Sequence, residues 1–155
     1  YRSPQLCTGY WQKPEETEES FQGGWFHSGD LARIDEAGYI FILDRKKDVI
    51  NTGGVLVASR EVEDALYGHP SVKEVAVVAT PDPKWIEAVT AVVVLKEGAT
   101  ATTEELIAHA RTRLAPFKVP RRVAFVSDLP RNASGKILKR SLRDMLAAEG
   151  DVEGR

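Results

Sequence analysis

Lys136 stands directly behind a glycine in Leu129-Pro130-Arg131-Asn132-Ala133-Ser134-Gly135-Lys136-Ile137-Leu138-Lys139-Arg140, a polar turn that leads into a helix-like tail. An ammonium on such a turn can hold a phosphate. The phosphate loop of nucleotide triphosphatases needs a glycine five residues before its Gly-Lys pair and a Ser or Thr after it, and those places hold Pro130 and Ile137. The glycine nest that presents backbone N–H groups to a phosphate is missing from the preceding segment as well. Lys136 is therefore a single mobile charge or a solvated loop lysine. Ser28-Gly29-Asp30 sets a carboxylate at a tight turn beside aromatics, where its two oxygens can accept both hydroxyls of a ribose or simply shape the turn. Arg45 and Lys47, within Asp44-Arg45-Lys46-Lys47-Asp48, mark a polar joint or a solvated face. Gly53 and Gly54 permit close approach of a ligand or satisfy a positive φ. Trp85, in the loop 80–85, lines a channel or closes the edge of a core.

These residues must be positioned by a chain of 155 residues, 43% hydrophobic and 28% charged, enough for one ordinary core with an appendage. Lys plus Arg at 21 against Asp plus Glu at 23 leaves a formal charge of -2, which argues against nucleic acid as a partner. A lone Cys7 and three His exclude an internal disulfide framework and a metal cluster, and fit a reducing, cytoplasmic setting. No apolar run approaches 18 residues and no leader pattern is present, so no membrane span is expected, while peripheral membrane contact stays open. The opening Tyr1-Arg2-Ser3-Pro4 has no Met and no capping or strand signal, and reads as part of something longer.

Along the chain, residues 1–24 are polar and broken by Pro4, Gly9, Pro14, Gly23 and Gly24, with one short helix over 14–21. Leu31–Ile34 and Tyr39–Leu43 around Asp35-Glu36-Ala37-Gly38 predict a hairpin. Asp44–Asp48 then interrupts, Val49-Ile50 resumes, and Asn51-Thr52-Gly53-Gly54 breaks, which makes 44–54 the best candidate boundary. Ser59 is expected to cap a helix carrying Val62, Ala65 and Leu66, stopped by Gly68-His69-Pro70. Val72–Ala79 and Ala88–Leu95 alternate as strands. Thr102 or Thr103 caps a second helix to about Leu114, Val123–Val126 is a short strand, and Leu138–Ala148 is a third helix. The expected fold class is α+β, in two layers.

Read in order, Gly24-Trp25-Phe26-His27-Ser28-Gly29-Asp30-Leu31, Gly38-Tyr39-Ile40, Asp44-Arg45-Lys46-Lys47-Asp48-Val49-Ile50, Gly53-Gly54, Glu61-Val62-Glu63 and Pro130-Arg131-Asn132-Ala133-Ser134-Gly135-Lys136 resemble the C-terminal motifs of the AMP-forming adenylating superfamily. That family joins acyl-CoA synthetases, peptide-synthetase adenylation domains and luciferases. The resemblance runs from Gly9-Tyr10-Trp11 through Leu142, and it is the order of the set that is specific. It implies residues 1–43 as the end of a large AMP-binding domain, 44–50 as a hinge, and 51–155 as a mobile two-layer α/β domain. It also implies a ligase that joins a carboxylic acid, most naturally a fatty acid, to AMP and then to coenzyme A. ATP/AMP with Mg2+ would be bound mainly by a domain preceding Tyr1, and this piece alone is expected to be inactive. By similarity Lys136 is the catalytic ammonium, Asp30 and Arg45 bind the nucleotide ribose, Lys47 is the hinge, and Gly53, Gly54 and Trp85 line the coenzyme A channel.

Two places depart from the family pattern. The usual Gly-Gly-Glu-Asn reads Gly53-Gly54-Val55-Leu56, and Ile86 follows Trp85 where glycine is usual. Both lie on the expected thiol face. Adenylation for a carrier protein is the alternative within the family, although no carrier-like Gly-Gly-x-Ser follows; a non-catalytic binding module is the alternative outside it.

Overall fold

In the computed structural model residues 1–150 are described, and they divide into two compact units, Tyr1–Lys47 and the chain from Asp48 onward. The division falls inside the segment 44–50 expected to be a hinge.

The first unit is built by local signals. Pro14 at the first turn and Glu15 and Glu16 behind it open α1 (Pro14–Ser20), where a missing N–H and negative charge are both favourable. β1 (Asp30–Ile34) and β2 (Ile40–Arg45) pair antiparallel from Asp30↔Arg45 to Ile34↔Ile40, with a bulge between Leu31 and Ala32. Their turn is fixed by Asp35, whose Oδ1 accepts from the N–H groups of Ala37 and Tyr39, and by Gly38 at φ +87°. β2 extends through Asp44 and Arg45, and a single 3-10 turn, Lys46–Asp48, follows.

The second unit is a five-stranded sheet with helices on both faces. β3 (Ile50–Thr52), β4 (Val55–Val57), β5 (Val72–Asp82) and β6 (Ile86–Leu95) lie in the order β4-β3-β6-β5, and β7 (Arg122–Phe125) joins β6 in parallel. The expected α+β architecture is what forms. α2 (Ser59–Tyr67) and α3 (Thr103–Arg111) cover one face, where Val62, Leu66, Leu106 and Ala110 meet Val75, Val77, Val89, Ala91 and Val93. α4 (Lys139–Gly150) adds a layer on the other, where Leu142 meets Ala76, Val78, Val92 and Val94. Cover on both sides is why Val75–Val78 and Ala91–Val94 are continuously buried apolar runs rather than the alternating strands expected. The buried hydroxyls of Thr80 and Thr90 bond each other at 2.7 Å, so neither is left unsatisfied.

Three expectations are corrected. Asn51-Thr52-Gly53-Gly54 is not a plain breaker: Asn51 and Thr52 belong to β3, and the glycines, at φ +63° and +88°, are a two-residue hairpin turn to β4. Ser59 does not cap α2; Ala58 holds that position, and the Ser59 hydroxyl instead accepts from Lys139 Nζ at 2.6 Å. The loop 80–85 shrinks because β5 and β6 pair as far as Asp82↔Ile86. Thr102 does cap α3, in a reciprocal capping box with Glu105.

Candidate functional site

Four groups of expected site residues find places within the two units. In the first unit the hairpin register sets Asp30 opposite Arg45, and Arg45 Nε reaches Asp30 Oδ1 at 2.8 Å. Gly29, at φ +73°, turns the chain into β1, and its carbonyl accepts from Lys46 N–H at 2.8 Å. Ser28 Oγ accepts from Asp30 N–H at 3.2 Å. The Asp30 side chain is 20% exposed, so it is held in place yet open to a ligand, with Oδ2 available to accept hydroxyls. Lys47 lies in the 3-10 turn with an exposed side chain.

In the second unit Gly53, Gly54 and Trp85 come together. Gly53 N–H donates to the Trp85 carbonyl at 2.7 Å, and a Cβ on Gly53 would stand 2.8 Å from Trp85 Cε3. The glycine is thus required twice, by its φ and by the indole against it. Glu87 N–H donates to the same carbonyl at 2.7 Å, which closes a three-residue turn with Ile86 at its centre and φ +68°. A β-branched residue is a true outlier in that region. The turn is braced by Asp82 Oδ1, which accepts from Lys84 and Trp85 N–H and whose carboxyl these bonds hold below its ordinary range. Arg121 lies 4.3 Å from the Trp85 ring centroid, a cation–π contact. Arg121 was missed by sequence reasoning. Its signal was only the Pro120-Arg121-Arg122 that follows the turn Pro116–Lys118, since nothing in the spacing pairs it with Trp85.

Lys136 stands on a separate, closely organised loop. Asn132 Oδ1 accepts from Ser134 N–H (3.1 Å), Ser134 Oγ (2.8 Å) and Lys136 N–H (2.9 Å), while Asn132 N–H donates to the Lys136 carbonyl at 2.9 Å. Gly135, at φ +79°, closes the turn, and an Arg131↔Ile137 bridge joins its two ends. Arg131 donates to the Gly135 carbonyl (2.8 Å) and pairs with Glu74 of β5 (2.7 Å), which ties the loop to the sheet. The backbone is fixed, and the Lys136 ammonium is exposed, with no ion pair among the described residues. Among the same residues no group of three or more His, Cys, Asp or Glu could hold a metal ion, and no helix is long and apolar enough to cross a membrane.

Known proteins resemble this chain in sequence and fold. The family profile of the AMP-binding enzyme C-terminal domain matches residues 61–136. A long-chain-fatty-acid–CoA ligase of Bacillus subtilis is 51% identical over 141 residues, covering 91% of this chain and 25% of that protein. A feruloyl-CoA synthase of an Amycolatopsis species is 49% identical over 140 residues, covering 90% of this chain and 28% of the relative. Among solved structures, ATP-bound MatB from Rhodopseudomonas palustris superposes with a TM-score of 0.85 at 42% identity, over 93% of this chain and 29% of that one. The o-succinylbenzoate CoA synthetase MenE of B. subtilis, in complex with its acyl-adenylate intermediate, superposes with a TM-score of 0.86 at 36% identity, over 92% and 29%. The chain thus spans between a quarter and three tenths of the length of these relatives. An ordered motif set, a matching domain and acyl-CoA ligases as relatives agree: this chain belongs to the AMP-forming adenylating superfamily and is similar to the C-terminal part of its acyl-CoA synthetases.

Proposed function

We propose that the chain is the C-terminal part of an enzyme that activates a carboxylic acid, in the first instance a fatty acid, with ATP and passes it to coenzyme A. The observation that carries this reading is the Lys136 loop, in which three donors on Asn132 Oδ1 fix the backbone while the exposed ammonium has no ion pair among the described residues. A side chain built to serve the fold would be paired; this one is built to reach something else.

In the first half-reaction a carboxylate oxygen attacks the α-phosphorus and pyrophosphate leaves. Negative charge gathers between the carboxylate and the phosphate, and a fixed ammonium stabilises it without moving a proton. Lys136 takes that role, and Asp30, held by Arg45, accepts the ribose hydroxyls of ATP and of the acyl-AMP. In the second half-reaction the coenzyme A thiol attacks the acyl carbonyl, loses its proton, and AMP leaves. Gly53, Gly54 and Trp85 line the path of the thiol arm, with Val55, Leu56 and Ile86 giving it a more apolar rim than the family pattern does. Lys47 and its neighbours are the hinge between 1–43 and 51–155, polar so that they are solvated in both orientations. Mg2+ would neutralise ATP phosphate charge, and among the described residues no group of three or more His, Cys, Asp or Glu could hold it.

The test is Lys136→Ala in the whole enzyme. Acyl-AMP formation, read by ATP–pyrophosphate exchange, is expected to fall by about 100-fold or more. Thioester formation from supplied acyl-AMP should persist; equal loss of both halves ends the assignment. Exchange across a panel of fatty and aromatic acids names the acid.

A further inference from the structure

Asp48 is the first residue of the second unit, directly after Lys47, and its carboxylate is only 12% exposed. Its partner is Arg143 on α4, ninety-five residues away, whose Nη2 donates to Asp48 Oδ1 at 2.7 Å with 30% of the side chain exposed. One turn earlier on the same helix, Lys139 Nζ meets Glu63 Oε1 at 2.7 Å and Ser59 Oγ at 2.6 Å. Glu63 in turn accepts from the N–H of Val77 in β5. Residues four apart share a helix face, so α4 presents two cations side by side to two withdrawn carboxylates. Between them Leu142 is fully buried against the sheet. The Lys136 loop opens directly into this helix, with Leu142 N–H donating to the Leu138 carbonyl.

We propose that Asp48 and Arg143 are positioning residues for Lys136. The pair fastens the chain end that leaves the joint to the helix that carries the Lys136 loop. Residue 48 then moves with the second unit as one body, and rotation is confined to the dihedrals just before it. Without the pair the joint lengthens into Asp48 and Val49, and Lys136 arrives over a spread of positions. A carboxylate only 12% exposed that loses its guanidinium is also left to find water, which pulls Asp48 off the body of the unit. Misplacement of a reacting group by about 1 Å costs roughly 100-fold in rate. The thiol step, in which the Lys136 ammonium takes no part, is less exposed to this error. The inference rests on the proposed roles of Lys136 and Lys47.

The test uses the whole enzyme with Arg143→Gln, Asp48→Asn, the double variant, Arg143→Lys and, as a control on the exposed face of α4, Arg140→Gln. Either single change is expected to lower the rate of acyl-AMP formation by about 10- to 100-fold, with the KM for ATP and the rate of thioester formation from supplied acyl-AMP held within about threefold. The double variant should be no worse than the worse single, because each single already removes the Asp48–Arg143 pair. Arg143→Lys should restore most of the rate. Trypsin cleavage after Lys46 and Lys47 should quicken by about 10-fold in the singles, as local opening there becomes easier. Equal loss in both half-reactions, unchanged cleavage, additive singles or the same split in Arg140→Gln would each overturn the proposal. Lys136→Ala run alongside separates the two claims: if it spares acyl-AMP formation, the role of Lys136 itself fails, whatever the Arg143 variants do.

Discussion

Within this chain taken by itself no residue of the first unit is buried, whereas the second buries apolar clusters against both faces of one sheet. Both units place their site residues closely, but by different means. Asp30 meets Arg45 because a turn and a strand register put them opposite each other, while Ile40, Ile42 and Ile34 on the same hairpin remain more than half exposed. Gly53 meets Trp85 because β3, β6 and the segment around Arg121 are drawn together by a sheet whose core is closed. Local hydrogen bonds suffice to define a geometry; burial is what makes it costly to leave.

The largest test of that contrast is truncation. Leu66→Ala and Leu142→Ala remove fully buried side chains and should each cost about 2–5 kcal/mol of the stability of the second unit, read by amide hydrogen exchange in β5 and β6 under increasing urea. Ile42→Ala in the first unit, 54% exposed in this chain by itself, should cost this chain no more than about 0.5 kcal/mol. Comparable losses would show that the hairpin relies on packing after all.

A finer test compares two glycines. Gly38 and Gly53 both have positive φ, but a Cβ on Gly38 meets nothing within 4 Å while one on Gly53 meets Trp85 Cε3 at 2.8 Å. Alanine at Gly38 should cost about 1 kcal/mol for the backbone alone. Alanine at Gly53 adds overpacking and should cost about 2–3 kcal/mol. It should also move the Trp85 fluorescence, which Gly38→Ala leaves unchanged. Ile86→Gly runs the other way. Strain at φ +68° is relieved, but the added freedom of glycine in the unfolded chain offsets part of it, so a net gain in stability under about 1 kcal/mol is expected, read from a rise in the thermal midpoint.

The same contrast decides what could be read from the residues. The first hairpin was legible, because Asp35 and Gly38 carry their turn chemistry within four residues. So were α3, with its capping box, and the long strands β5 and β6. The β3–β4 hairpin was not, because three-residue strands give no periodicity and Gly53-Gly54 reads equally as a break and as a turn. Ser59 misled for a physical reason: it has the cap chemistry but is claimed by Lys139, eighty residues on. Lys136 was legible as a position, and the Asn132 bonds that set it follow from the turn sequence. The Arg121–Trp85 and Asp48–Arg143 contacts were not, since long-range partners among many surface charges leave no local mark.

The smallest effect is set by pH, at the packing of α2 against α3. His109 Nε2 meets the Ala65 carbonyl at 3.1 Å, so that nitrogen carries the proton; Nδ1 accepts from Arg113 Nη1 at 3.2 Å. The neutral ring satisfies both bonds, and the His69 ring stands edge-on to it at 5.0 Å. Burial, then the Arg113 charge, then His69 push its pKa below the usual 6.5, against the opposing pull of the Ala65 carbonyl. The unfolded chain therefore takes up this proton first as pH falls through about 6.5, and stability must drop with it. Above that pH the contribution is level; between 6.5 and the lowered folded value it declines. Amide protection in α2 and α3 should weaken from pH 7 to pH 5 more in the native chain than in His109→Gln, whose amide can keep a donor towards Ala65 without titrating. An equal decline in both would assign the acid sensitivity to carboxylates instead, and a decline equally strong in β1 and β2 would remove burial as its cause.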